Sequence, residues 1–298
     1  MSLMDKLVVW SLPLVPKPIV GYFSKTYIAG SKLEDAVRVV KNLNAQNITG
    51  TIDLLGEENH KEEDVVKAVD QYKSVLDAIK AEGLDSGISV KPTHMGWMIS
   101  KEFCSENISE LIEKAASMNI FVRIDMEDHT TTTDTIDMYV KLQEQYGDAV
   151  GTVIQSYMRR TSDDINYLIK YKANLRLCKG IYNEPREIAY KDMAIINDNF
   201  VFNLEKLLKN GCYVGIATHD EKLVWHALRI IEELNLNKDQ YEFQMLLGVD
   251  EQLRKIIVDA GHHLRVYVPF GEEWYAYSTR RLKENPKMAG HVFRNIFK

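Results

Sequence analysis

Short apolar runs rich in β-branched residues alternate along this chain with longer stretches whose apolar positions recur every three or four residues. The first pattern marks a β-strand, and the second marks an amphipathic helix. Eight runs qualify as strands: residues 50–55, 88–92, 121–126, 152–156, 174–178, 213–217, 242–247 and 264–268. Between the first two, residues 62–82 place Val65, Val66, Val69, Tyr72, Val75, Leu76 and Ile79 on one stripe. Residues 192–210 and 221–236 repeat that period, residues 272–284 follow the last strand, and residues 33–43 precede the first. Eight strands each followed by a helix close naturally into a (β/α)8 TIM-like barrel, here with an extra N-terminal helix. Periodicity alone leaves an open doubly wound sheet as the rival.

Nothing interrupts this pattern with a low-complexity tract or a Pro/Gly/Ser linker. Residues 1–298 are therefore expected to form one barrel domain, with 1–48 a segment and helix packed on it. Hydrophobic residues at 45% and charged residues at 27% are ordinary for a globular protein. The net charge of −6 gives no general attraction for nucleic acid. Three cysteines, Cys104, Cys178 and Cys212, are too few and too scattered for a disulfide scaffold, which suits a reducing, cytoplasmic compartment. The apolar stretch 7–23 is broken by Pro13, Pro16, Lys17 and Pro18, so it reads as a packed irregular segment or a membrane-skimming patch.

Barrel enzymes build their sites where strands end. Those ends carry Lys91, Asp125, Gln155, Arg176 with Lys179, Thr218-His219 and Tyr267. Taken singly, each has a structural explanation: Lys91 and Asp125 fit an isolated ion pair, and Arg176 fits a partner on a helix. Their shared placement is the stronger signal. No metal site is expected, because the adjacent His262 and His263 point to opposite faces and no spaced histidine motif occurs. Glycine-rich phosphate loops are missing too, so any nucleotide cofactor would be held by barrel loops such as Lys179-Gly180 and Thr218-His219. In the last helix Tyr277, Arg280, Arg281 and Glu284 share one face. Two arginines there can converge on a small anion, or Glu284 can neutralise both.

Several stretches together resemble the proline dehydrogenases. They are Arg265-Val-Tyr-Val-Pro-Phe-Gly271, Trp274-Tyr-Ala-Tyr-Ser-Thr-Arg-Arg-Leu-Lys-Glu-Asn-Pro286, Leu175-Arg-Leu-Cys-Lys-Gly-Ile-Tyr182, Ile216-Ala-Thr-His-Asp220 and Tyr241-Glu-Phe-Gln-Met-Leu246. Ile88-Ser-Val-Lys-Pro92 and Arg123-Ile-Asp-Met-Glu127 add two more, in order and at barrel spacing. The size is similar to that of the short monofunctional bacterial enzymes.

The resemblance implies a distorted barrel binding FAD non-covalently and oxidising L-proline to Δ1-pyrroline-5-carboxylate by hydride transfer to flavin N5. A membrane quinone would take the electrons, at the inner face of the membrane, and a pyrroline-5-carboxylate dehydrogenase would take the product. It implies Arg280 and Arg281 as a carboxylate clamp with Lys91 as a further cation, and Asp125 as the group orienting Lys91 and the substrate. Tyr182, Leu246, Tyr267 and Tyr277 would wall the substrate ring, and Arg176 would sit by flavin N5. Gln155, Lys179, Gly180, Ile181, Met126, Thr218 and His219 would contact the cofactor, with Glu284 near its adenosine end. Two positions depart from the family pattern: Cys178 replaces a usual valine and Ile181 a usual alanine.

Overall fold

The computed structural model describes residues 21, 24, 26–275, 277 and 278. Eight parallel strands run in chain order: β1 (Thr49–Leu54), β2 (Ser86–Val90), β3 (Val122–Ile124), β4 (Val150–Gln155), β5 (Asn174–Cys178), β6 (Tyr213–Ala217), β7 (Tyr241–Leu246) and β8 (Leu264–Phe270). Each pairs with the next, and β8 returns to β1 from Thr49 opposite Arg265 to Leu54 opposite Phe270. That last pairing closes the barrel and removes the open-sheet rival. Helix α1 (Leu33–Asn44) precedes β1 and packs on β1 and β8. Seven helices follow the first seven strands: α2 (Glu62–Ala81), α3 (Lys101–Ser117), α4 (Thr132–Tyr146), α5 (Thr161–Leu168), α6 (Met193–Lys209), α7 (Glu221–Glu233) and α8 (Glu251–Asp259). Of the helix expected over 272–284, Glu272 and Glu273 form a turn, Trp274, Tyr275, Tyr277 and Ser278 are helical, and 276 and 279–284 lie outside the described residues.

Local chemistry fixes these elements. Ser100 caps α3 by accepting from Phe103 N, and Asp192 caps α6 by accepting from Ala194 N and Ile195 N. Helix α7 stops at Glu233, short of residue 236, because Asn235 takes a left-handed conformation at φ 49°. The α2 stripe is buried as its spacing predicts, except Val66, which is half exposed. It sits a full helical step beside Val65 and so falls outside the face turned to the barrel.

Strand residues of alternate parity do different work. Ile52, Ile88, Val90, Val122, Ile124, Leu175, Leu177, Val214, Ile216, Phe243, Val266 and Val268 join the helices in one buried apolar layer. The other parity faces the barrel interior, where branched aliphatics are the usual filling. Here that interior is charged: Asp53, Lys91, Arg123, Asp125, Arg176, Glu242 and Arg265 stand on inward strand positions or one step past them. Arg123 is buried and donates through Nη1 to Thr152 O and Asn174 O at 2.8 and 2.9 Å, and through Nη2 to Asn174 Oδ1 at 2.8 Å. Burial pulls its pKa down to about 9, which leaves it cationic at neutral pH. Gly151 makes this possible, because a Cβ there would stand 2.4 Å from Arg123 Nη1.

Below the strand ends, Arg265 Nε donates to Glu242 Oε1 at 2.7 Å and Arg265 Nη1 to Gly50 O at 2.7 Å. Removing one partner of a buried pair strands the other charge. Arg265→Met is expected to cost about 3–5 kcal/mol of unfolding free energy, read from urea denaturation. A double change with Glu242→Gln should recover part of that loss, and a double variant no more stable than the single one would show that the pair is not the cause.

Candidate active site

At the C-terminal ends of the strands lies a cavity of about 540 Å³, within the size range of ligand sites. Its floor is the upper end of the charged interior. Asp125, one residue past β3, accepts from Ser89 Oγ at 2.6 Å and Arg176 Nη1 at 2.7 Å on Oδ1, and from the Tyr267 hydroxyl at 3.2 Å on Oδ2. Arg176 on β5 also donates from Nε to Gln244 Oε1 at 2.6 Å, and its guanidinium carbon lies 5.5 Å from the centre of the Tyr267 ring. Lys91 donates to Asp53 Oδ1 at 2.7 Å, and both residues are buried.

Two expectations change here. Asp125 was expected to orient Lys91, but the direct partner of Lys91 is Asp53 on the adjacent strand β1, while Asp125 holds Arg176. Neighbouring parallel strands bring Lys91 within reach of Asp53, and the longer arginine side chain crosses the barrel to Asp125. Lys91 and Asp125 are therefore not an isolated pair, and the partner of Arg176 comes from a strand rather than a helix.

The protonation states follow from burial and charge. Burial alone would lower the Lys91 pKa, yet Asp53 and Asp125 more than offset it, so the ammonium is held more firmly than usual. Burial raises the Asp53 pKa while Lys91 opposes that rise. Burial and the nearby Asp53 and Asp125 charges push Tyr267 well above the ordinary phenol value, so it remains a neutral donor.

The walls bring the other expected residues together. Met126, Gln155, Lys179, Gly180, Ile181, Tyr182, Thr218, His219, Leu246 and Tyr277 all line the cavity with Lys91, Asp125, Arg176 and Tyr267. Gln155 is oriented by donating from Nε2 to Glu127 O at 2.9 Å. His219 Nε2 accepts from Leu246 N at 2.8 Å, which leaves the ring proton on Nδ1. Lys179 is tied to Asp220 at 2.8 Å. Gly180 has φ 105°, and a Cβ there would stand 2.1 Å from the Tyr157 ring, so the chain turns where only glycine fits. Arg280, Arg281 and Glu284 lie outside the described residues. Among the described residues, no cluster of His, Cys, Asp and Glu is arranged to hold a metal ion, and no helix is long and apolar enough to cross a membrane.

Sequence reasoning passed over Asp53, Gln244, Glu242 and Glu127. Period-two alternation carried the signal for three of them, since Asp53 follows Thr51, and Glu242 and Gln244 flank Phe243. Glu127 gave no such signal, because it lies past β3 in an acidic run that reads as solvated.

Comparison with known proteins gives a consistent set of likenesses. A family model described as proline dehydrogenase matches residues 36–294. Proline dehydrogenase 1 of Bacillus subtilis (strain 168) is 33% identical over 275 residues, covering 92% of this chain and 91% of that one. The proline dehydrogenase of Deinococcus radiodurans is 33% identical over 279 residues, covering 92% and 90%. Among solved structures, proline utilization A from Bdellovibrio bacteriovorus, inactivated by N-propargylglycine, matches with a TM-score of 0.83 at 25% identity, over 89% of this chain. The chain spans 33% of that protein's chain.

Glu127 generates a test of the cavity wall. Its carboxylate accepts from Thr93 N at 2.8 Å and Thr93 Oγ1 at 2.7 Å, yet burial outweighs those bonds and pushes its pKa up to about 7 from 4.5. A folded-state pKa above the unfolded one adds stability that is complete below about 4.5 and is lost as pH rises through about 7. This group's share is up to roughly 3 kcal/mol. Urea midpoints at about pH 5 and about pH 8 should therefore differ less in Glu127→Gln than in the parent. An equal fall in both proteins would remove Glu127 as the source.

Proposed function

The chain belongs to the proline dehydrogenase family, and from that premise we propose that it oxidises L-proline to Δ1-pyrroline-5-carboxylate using non-covalently bound FAD. A membrane quinone is the onward acceptor in this reading, met by peripheral contact from the cytoplasmic side, and a pyrroline-5-carboxylate dehydrogenase consumes the product. One observation carries the reading: Arg176, held by Asp125 and Gln244 at the base of the cavity.

The residues present suit the cofactor. Among the described residues, the barrel interior sets Lys91, Arg123, Arg176 and Arg265 against Asp53, Asp125 and Glu242, with the Glu127 carboxyl, its pKa raised to about 7, on the cavity wall. The Arg176 guanidinium at the base of the cavity favours a group that gains negative charge when it takes up electrons. Gln155, Arg176, Lys179, Gly180, Ile181, Met126, Thr218 and His219 would hold FAD, with Glu284 toward the adenosine end. The flavin would supply the hydride acceptor.

The chain's own residues do the rest. Lys91, together with Arg280 and Arg281, would fix the substrate carboxylate, and Tyr182, Leu246, Tyr267 and Tyr277 would enclose the ring. Orientation of this kind can supply about 7–11 kcal/mol of a barrier. The Tyr267 ring would also bar a hydroxyl on the substrate ring, giving preference for proline over hydroxyproline. Lys91, kept protonated by its two carboxylates, is a poor base. The site would therefore take proline with its amine already neutral, so kcat/KM should rise with pH as the free amine fraction grows.

The deciding experiment is the visible spectrum of pure protein before and after anaerobic L-proline. Flavin peaks that bleach are expected, and protein that stays colourless after incubation with FAD would refute the proposal. Arg176→Ala should slow bleaching about 10²–10³-fold while FAD stays bound. A parental rate would take Arg176 out of the reaction.

A further inference from the structure

Gln244 joins two charges that lie in different layers of the barrel. Its Oε1 accepts from Arg176 Nε at 2.6 Å, and its Nε2 donates to Glu242 Oε1 at 2.6 Å. A guanidinium has donors only and a carboxylate has acceptors only, so the amide can satisfy both in one orientation. Glu242 is itself fixed by Arg265 Nε at 2.7 Å, and Arg265 is anchored to the backbone at Gly50 O. Burial would raise the Glu242 pKa, but Arg265 holds it below the usual value, so the carboxylate stays ionised to receive the amide.

The neighbouring strand is shaped for this link. Gly215 on β6 pairs with Arg176 on one side and Glu242 on the other. A Cβ at Gly215 would stand 2.3 Å from Gln244 Nε2 and 2.8 Å from Gln244 Cδ. The amide thus occupies the space that any other residue at 215 would fill.

We propose that Arg265, Glu242 and Gly215 act through Gln244 as positioning residues for Arg176. The lower charged layer sets the amide, and the amide sets the plane in which the guanidinium meets the cavity. Two of the five N–H donors of Arg176 are engaged by Asp125 and Gln244, and these two bonds direct the remaining three. The effect on turnover rests on the proposed role of Arg176, whereas the effect on its geometry does not.

The test uses holoenzyme labelled with ¹⁵N-arginine, in which the Arg176 Nε–H signal is assigned by its loss in Arg176→Lys. Hydrogen exchange at that proton and the rate of flavin reduction by L-proline are measured for Glu242→Gln, Gln244→Met and Gly215→Ala. Exchange should quicken by at least about 10-fold, and reduction should slow by roughly 10–100-fold. The dissociation constant for proline should stay at the parental value, a split that general loosening of the barrel would not produce. If Glu242→Gln fails to fold, Gly215→Ala and Gln244→Met carry the same readouts with the interior charges intact. Parental exchange in the folded variants overturns the proposal. Quickened exchange with parental reduction overturns its link to turnover. If Arg176→Lys itself reduces at the parental rate, the role assigned to Arg176 fails while the geometric part stands on its exchange result.

Discussion

A charge inside a closed barrel has no water to turn to, so each one must find its counter-charge or hydrogen-bond partners within the ring of strands. This constraint organises the molecule. Lys91 finds Asp53, Arg176 finds Asp125 and Gln244, Arg265 finds Glu242, and Arg123 is held by backbone and side-chain oxygens of Thr152 and Asn174. Each bond crosses from one strand to another, so the charged layers fix the relative placement of strands that are far apart in sequence. An aliphatic filling would have served stability as well or better. What the polar filling adds is a rigid set of donors whose upper members open into the cavity.

The cavity inherits its character from that filling. Its floor is fixed by ionic bonds between strands, while its walls come from loops and strand ends. Tyr267 joins the two, since its hydroxyl donates to Asp125 and its face lies against Arg176. It therefore cannot shift toward a ligand without disturbing the arginine. A neutral phenol held in that position is well suited to shape discrimination, because its ring has a single place to be.

The barrel was legible because strand and helix periods differ and the chain keeps them apart. β5 and β6 fall at the residues their runs predict, whereas β3 shrinks to Val122–Ile124, since its polar continuation Asp125-Met126-Glu127 belongs to the cavity rim rather than the sheet. The polar residues read at strand exits, with every other expected site residue within the described part, line one cavity. Partner choice was not legible. Whether Asp125 meets Lys91 or Arg176 depends on side-chain reach across a closed ring, which spacing along the chain does not encode. Asp53, Glu242 and Gln244 were hidden for a related reason: a polar residue within an apolar strand looks like an interruption until both faces of the strand are known to be buried.

Cys178 and Ile181, where the resemblance implies a valine and an alanine, have different weight once placed in the fold. Cys178 lines the cavity one inward position above Arg176, and burial raises its thiol to about 11 even though Arg176 pulls the other way. At neutral pH it is a small uncharged side chain, close to valine in bulk and in polarity. Ile181 is 40% exposed, beyond Gly180 at the outer part of the cavity. Its extra bulk relative to alanine falls at the mouth, whereas the Arg176–Asp125–Tyr267 floor is set by bonds that Ile181 does not touch. A change there acts first on how a ligand enters and how well the cavity is covered, and only through the loop on the geometry of the floor. The substitution thus bears on access more than on the charges that the barrel interior holds in place.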